Sequence, residues 1–271
     1  MTKSPKDKKN YVKMSSKYIL TRMIEDDNSR DVVVKKIVNL EKRFTQPQDR
    51  FWHSLTHIPT HNIYIKHGHD FLLKHGSSKV SLVIIYVDLV GSTKMSMKLP
   101  ADKLVTLIRA FSHQISFVVK SYDGYVLKYV GDAVIAFFPS DFRPLTYDKA
   151  IRCAKSMITA IKEKINPVLS KHDYPELKLK IGMDEGENVV VQYGYNRSSQ
   201  IDLLGYTMNV TSKITSLIGP NSLSVGHNMH KLLNPKVQSE FQELSHLEKD
   251  WKYLDSETGQ IYKVYTLKQS L

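Results

Sequence analysis

The chain has a single cysteine, Cys153, so it can form neither an internal disulfide nor a cysteine-based zinc site. No stretch approaches the ~18 consecutive apolar residues of a membrane-spanning helix. No apolar h-region comes after the opening Met-Thr-Lys-Ser-Pro-Lys-Asp-Lys-Lys-Asn, so no secretory leader is expected. Internal repeats and extended low-complexity tracts are also missing. Together these absences leave a protein expected to work in the cytoplasm.

What is present is ordinary in amount and uneven in place. The 271 residues are 41% apolar and 24% charged, which suits a soluble globular chain and argues against wholesale disorder. The formal net charge is +12. Residues 1–79 hold 16 Lys+Arg against 8 Asp+Glu, and the remainder holds 23 against 19. The basic excess therefore belongs to the N-terminal third. It suits a solubilising tail, or contact with nucleic acid, an anionic membrane surface or an acidic partner. Aromatic residues are not interleaved with it, which ranks nucleic-acid binding last.

Residues 1–10 read as a disordered basic tail. Residues 11–77 read as a helical N-terminal segment: Tyr18, Ile19, Met23 and Ile24, then Val33, Val34, Ile37, Val38 and Leu40, recur at helical steps. Six of the eleven histidines fall in residues 46–79. His53, His57 and His61 are spaced by four, but Pro59 interrupts them and no acidic or cysteine ligand accompanies them, so packing or solvated histidines are expected rather than a metal site. Phe51, Trp52 and Cys153 read as packing residues.

From Val80 the pattern changes. Val80–Val87 is a β-branched apolar run that reads as a strand buried on both faces. A helix is predicted over 100–121, strands at Tyr125–Val130 and Ala133–Phe138 joined by Gly131-Asp132, and a helix over 147–165. Leu177–Met183 and Val189–Tyr193 read as two strands linked by the polar run Asp-Glu-Gly-Glu-Asn. Thr207–Ile218 reads as a helix ended by Gly219-Pro220, and Ser222–Val225 and Ile261–Leu267 as late strands. The order predicts an α+β fold: a ferredoxin-like βαββαβ core with additional C-terminal α/β elements, preceded by the helical N-terminal segment.

Two aspartates carry the chemistry in this pattern. Asp88 ends the buried strand and Asp132 sits at the hairpin tip, so both can reach one edge of the sheet. Two carboxylates at one point repel unless a cation lies between them, and magnesium or manganese fits that demand. The turn Leu89-Val90-Gly91-Ser92-Thr93 comes next, between strand and helix, where freed N–H groups hold phosphate oxygens. Lys128, Asp202, and the pair Asn209 and Lys213, four apart on one helix, complete the set.

Four segments place these residues in order: Tyr86-Val-Asp-Leu-Val-Gly-Ser-Thr93, Leu127-Lys-Tyr-Val-Gly-Asp-Ala-Val-Ile-Ala-Phe137, Lys180-Ile-Gly-Met-Asp-Glu-Gly186 and Asp202-Leu-Leu-Gly-Tyr-Thr-Met-Asn-Val-Thr-Ser-Lys213. They resemble class III nucleotide cyclases over about residues 78–268, which makes 78–271 the expected catalytic domain. The resemblance implies that Asp88 and Asp132 bind two divalent metals, Mg2+ or Mn2+. It implies that Leu89, Val90, Gly91, Ser92 and Thr93 hold phosphate, that Lys128 and Asp202 read the base, and that Asn209 orients the ribose. Lys213 stands where most members carry an arginine that stabilises the transition state. Lys252 is the candidate for a second phosphate lysine, although the glycine that usually accompanies it is absent.

The family's sites form between two domains, so this chain, which carries both residue sets, is expected to form a head-to-tail homodimer. The implied reaction is attack of the ribose 3′-hydroxyl on the α-phosphorus with loss of pyrophosphate. The base can be read from hydrogen bonding. Lys128 only donates and an ionised Asp202 only accepts, which matches N1 and the N6 amine of adenine and opposes guanine. Cytosine shows the same edge, so only pocket size excludes CTP. The expectation is an adenylate cyclase acting on ATP. The alternative is a catalytically weak or silent cyclase-like module that binds nucleotide, favoured by Lys213 and by the missing glycine.

Overall fold

The computed structural model describes residues 45–268 except 58–61, 77, 141–143, 195–198, 245–250 and 256. The expected basic tail and the helical spacing between Tyr18 and Leu40 lie outside the described residues. The chain divides at Gln46/Pro47, and the larger unit, from Pro47 onward, holds the elements described below.

The expected core is present. Strand β1 (Lys79–Leu89) leads through α3 (Ser92–Lys98) and α4 (Ala101–Ser121) to the hairpin β2 (Tyr125–Val130) and β3 (Ala133–Pro139). Helix α5 (Pro144–Thr159) continues through a π-helical turn (Ala160–Ile165) into α6 (Asn166–Lys171) and returns to β4 (Leu179–Tyr193). Antiparallel pairing in the order β2-β3-β1-β4 makes this the ferredoxin-like βαββαβ unit. Then come β5 (Gln200–Leu204), α7 (Tyr206–Leu217), β6 (Ser222–Gly226), α8 (His227–Leu232), α9 (Pro235–Gln238), β7 (Phe241–Glu243) and β8 (Val264–Leu267). They extend the sheet to eight strands, with β6 parallel to β4, β8 and β7 beyond it, and β5 paired with the far half of β4.

The sheet is covered on both sides because β1 is apolar on both. Val83, Ile85 and Val87 face the larger core with Phe111 and Ile115 of α4 and Ile151 and Ala154 of α5. Leu82 and Ile84 face a second cluster with Ile135, Phe137, Val190, Ile201 and Leu203. Two helices precede β1 in the same compact unit: α1 (Pro47–Thr56) and α2 (Asn62–Leu73). Helix α1 buries Phe51, and its Arg50 guanidinium donates to Gln114 at 3.2 Å and lies 3.4 Å over the Phe117 ring. Trp52 stacks on His172, and Cys153 is buried in the larger core, which pushes its thiol up.

The structure corrects three expectations. Leu177–Met183 and Val189–Tyr193 are not separate strands, since β4 runs unbroken through Asp184-Glu-Gly-Glu-Asn188. That run is polar yet buried at Asp184, Glu185 and Asn188: the Tyr262 hydroxyl donates to Asp184, and the Asn188 amide donates to the Gly186 carbonyl. Strand β5 is an addition to the elements expected from sequence. The late strand begins at Val264, while Ile261 makes only an isolated bridge to Leu254.

Among the described residues no helix is long and apolar enough to cross a membrane. No cluster of three or more His, Cys, Asp or Glu suited to a metal occurs among them either. His53 and His57 instead stack ring on ring at 4.3 Å.

Candidate active site

Asp88 is the penultimate residue of β1 rather than the residue after it, and pairs across the ladder with Lys180 of β4. Even-numbered β1 side chains face the second cluster, so Asp88 leaves the sheet on that side. Asp132 closes the two-residue connection between β2 and β3, where Gly131 takes φ +62. Burial, and then the Asp132 charge, push the Asp88 carboxyl above the usual carboxylate range. The Leu89 N–H and the Lys180 ammonium act the other way. The Asp88 carboxyl thus lies within reach of the Asp132 charge.

The phosphate turn is divided in its capacities. Leu89 ends the strand and its N–H bonds the Asp88 carboxylate. The Val90 N–H donates to the Lys178 carbonyl at 2.9 Å, so it is already engaged. Gly91 takes φ +76, a conformation that side chains resist, and turns the chain into α3 at Ser92. The opening N–H groups at Ser92 and Thr93 have no acceptor within their own helix. Ser92, Thr93, Arg109, Gly131 and Asp132 line one open pocket of about 440 Å³. Of the five residues, Leu89 and Val90 thus have their N–H groups already engaged.

Lys128 and Asp202, 74 positions apart, form an ion pair of 2.5 Å. Strict alternation would turn Lys128 to the same side as Val126. A β-bulge between Val126 and Lys128 inserts Leu127 and sets Lys128 opposite Ile135, so both Leu127 and Lys128 face the second cluster. Asp202 stands on β5 opposite Val191, its other oxygen accepting from the Leu203 N–H at 2.8 Å. Tyr86, two residues before Asp88, has its hydroxyl pushed up by burial and by the Asp202 charge.

Asn209 and Lys213 lie on α7, which is held against β4 by a seam of small residues. A Cβ on Gly182 would stand 2.2 Å from Thr215 Oγ1, and one on Gly186 2.4 Å from Thr207 Oγ1. Thr207, Thr211 and Thr215, four apart, are buried on that seam. Asn209 and Lys213 fall on the other side and are exposed. Among the described residues no hydrogen bond or ion pair joins them to Asp88, Asp132, Lys128 or Asp202. Lys252 is also exposed, between Trp251, which packs in one cluster with Val210 and Ile214 of α7, and Tyr253, whose ring meets Tyr206 at 6.0 Å.

Lys180 has no role that can be read from sequence, although its segment does. Only the β1–β4 register places its ammonium beside Asp88.

Known proteins share this fold. The family model described as adenylate and guanylate cyclase catalytic domain matches residues 75–266. A cytidylate cyclase of Escherichia coli is 26% identical over 166 residues, 58% of this chain and 36% of that one. A cytidylate cyclase of Staphylococcus aureus is 23% identical over 221 residues, 78% of this chain and 49% of that one. The chain thus spans less than half the length of these two curated relatives. Among solved structures, the guanylyl cyclase Cya2 superposes with a TM-score of 0.60 at 17% identity, covering 72% of this chain and 95% of that one. The adenylyl cyclase CyaB from P. aeruginosa gives 0.59 at 18%, covering 72% and 96%. At such identities the structures speak for the fold, and the matched family model, which spans most of the chain, speaks for descent: this chain belongs to the adenylate and guanylate cyclase catalytic domain family, the class III nucleotide cyclases.

Proposed function

We propose that the chain is a nucleotide cyclase acting on ATP, releasing 3′,5′-cyclic AMP and pyrophosphate. One observation carries the reading: the Asp88 carboxyl feels the Asp132 charge, and Asp132 lines one pocket with Ser92 and Thr93. Two carboxylates close enough to repel, next to an open pocket, fit Mg2+ or Mn2+, which take one or two carboxylates and complete their shell with substrate phosphates. When bound there, such ions supply Lewis-acid polarisation and offset charge on the triphosphate.

The chain's own groups do the rest. Gly91, Ser92 and Thr93 N–H groups and the Lys180 ammonium meet phosphate oxygens. Lys128 donates to adenine N1, and Asp202 accepts from the N6 amine. Asn209 orients the ribose, and Lys213, with Lys252, meets the charge that grows on the phosphoryl and leaving oxygens. Because Asn209 and Lys213 point outward on α7, a second copy is the natural source of the carboxylates they serve, which supports a head-to-tail homodimer. Val189 of β4, its ladder partner Leu204 of β5, Tyr206 at the start of α7 and Leu254, whose carbonyl accepts from the Tyr206 hydroxyl, are all exposed apolar residues, a patch suited to such a contact.

CTP is the second reading. Cytosine offers the same acceptor–amine edge as adenine, and two of the relatives are named cytidylate cyclases. The test is turnover of ATP, CTP, GTP and UTP with manganese, detecting cyclic product and pyrophosphate, by wild type and Lys128→Glu. ATP is expected to lead, and Lys128→Glu to lose it. A CTP lead replaces the substrate and keeps the pair. Equal turnover of GTP and ATP by the wild type rejects the pair as base reader.

A further inference from the structure

Helix α2 precedes the matched family segment, yet it packs on both strands that carry the base-reading pair. Gly68 sits on the main chain of β2 where the bulge begins: a Cβ there would fall 2.1 Å from the Val126 carbonyl oxygen. The Phe71 ring packs against Tyr125 at 4.8 Å and Phe137 at 5.7 Å. Leu72 is fully buried in the apolar cluster that contains Leu127, the neighbour of Lys128, and Ile201 and Leu203, the neighbours of Asp202. His69 lies close enough to feel the Asp202 charge.

A bulged edge strand has lost part of its ladder and is held less firmly than regular sheet. The Lys128–Asp202 pair is partly open to solvent, and such pairs hold geometry weakly. Something else must fix where Lys128 stands relative to β5. We propose that α2 is the positioning element for base choice: seated through Gly68 on the Val126–Lys128 bulge and through Leu72 in the cluster shared by β2 and β5, it sets the separation of Lys128 and Asp202. This rests on the reading of those two residues as base contacts. The segment ahead of the catalytic domain then acts on specificity from within the domain, and displacing α2 blurs the distinction between bases rather than only lowering activity.

The experiment uses the full chain with manganese and two assays: turnover of the four nucleoside triphosphates, and equilibrium binding of their 3′-deoxy analogues, which lack the attacking hydroxyl. The variants are Gly68→Ala, the milder Phe71→Leu in case the first does not fold, and Phe51→Leu in α1 as a stability-matched control on the other face. Both α2 variants are expected to reduce the ratio of favoured to disfavoured base about tenfold or more, since misplacement by about 1 Å is costly. The control is expected to melt earlier by a similar amount and keep the ratio within about twofold. An unchanged ratio in both α2 variants, while Lys128→Ala abolishes it, overturns the role of α2 and leaves the base-reading pair standing. Base preference in binding without cyclic product contradicts the cyclase alone, and the binding ratios still decide on α2. No base preference in either assay overturns both.

Discussion

Asp184 is fully enclosed in β4, at 1% exposure, and burial pushes its carboxyl up to about 7. Tyr262 donates to it at 2.7 Å, and the Glu185 and Met229 N–H groups at 2.9 and 3.2 Å, all favouring the carboxylate but not fully offsetting desolvation. An unfolded aspartate titrates near ~3.9. The folded chain therefore binds more protons than the unfolded one between about 4 and about 7, so this group's contribution to stability is full below that window and is lost as pH rises through it. Urea midpoints of wild type and Asp184→Asn across pH 4.5 to 8 are expected to show the wild type losing ground as pH rises; parallel curves contradict this.

At the pair itself, Lys128→Ala leaves Asp202 without its partner and is expected to lower kcat/KM for the favoured nucleotide by about 10- to 100-fold, the equivalent of ~1–3 kcal/mol. Lys213→Arg is expected to raise turnover, because a planar guanidinium grips phosphate where an ammonium is a single point charge. An unchanged rate in both Lys213→Arg and Lys213→Ala removes that residue from the chemistry.

The residue types are legible in the sequence, and much of their placement is not. Asp88 and Asp132 are readable because strand end and hairpin tip are local signals. The aim of Lys128 is not, since a bulge is one extra residue and leaves no mark in an apolar–polar pattern. Lys180 becomes meaningful only through its register with Asp88.

Among the elements, α7 and β4 show how backbone approach positions a site. Gly182 lies beneath Thr215 and the Thr211 carbonyl, so Gly182→Ala must push α7 outward together with Asn209 and Lys213. The expected cost is ~1–3 kcal/mol of stability, read as a lower urea midpoint, with a loss of turnover beyond what the unfolded fraction explains. Gly219→Ala, where the nearest atom is 3.9 Å away, serves as the neutral comparison. Helices α4 and α7 are readable from their apolar spacing. The unbroken course of β4 is not, because Asp-Glu-Gly-Glu-Asn has the composition of a turn and is held in the sheet by Tyr262 and by the packing of Thr207, both distant in sequence. Strand β5 escapes notice because five residues beginning with Gln200 carry too short a period to stand out.

At the scale of the whole molecule the proposed function turns on two copies sharing their sites. Each chain carries a pair of carboxylates at one place and an exposed Asn209 and Lys213 at another, with Lys128 and Asp202 already joined. If two copies pair head to tail, each site takes its carboxylates from one chain and its base and transition-state groups from the other. Asp132→Ala is then inactive alone and Lys128→Ala strongly impaired, but they repair one another when combined, because a mixed dimer concentrates both lesions in one site and leaves the other whole. The decisive measurement is cyclic nucleotide formed by an equimolar mixture of the two purified variants. About a quarter of the wild-type rate is expected, from one intact site in the half of the dimers that are mixed. A mixture no more active than either variant alone, under conditions where wild type is active, contradicts the shared site.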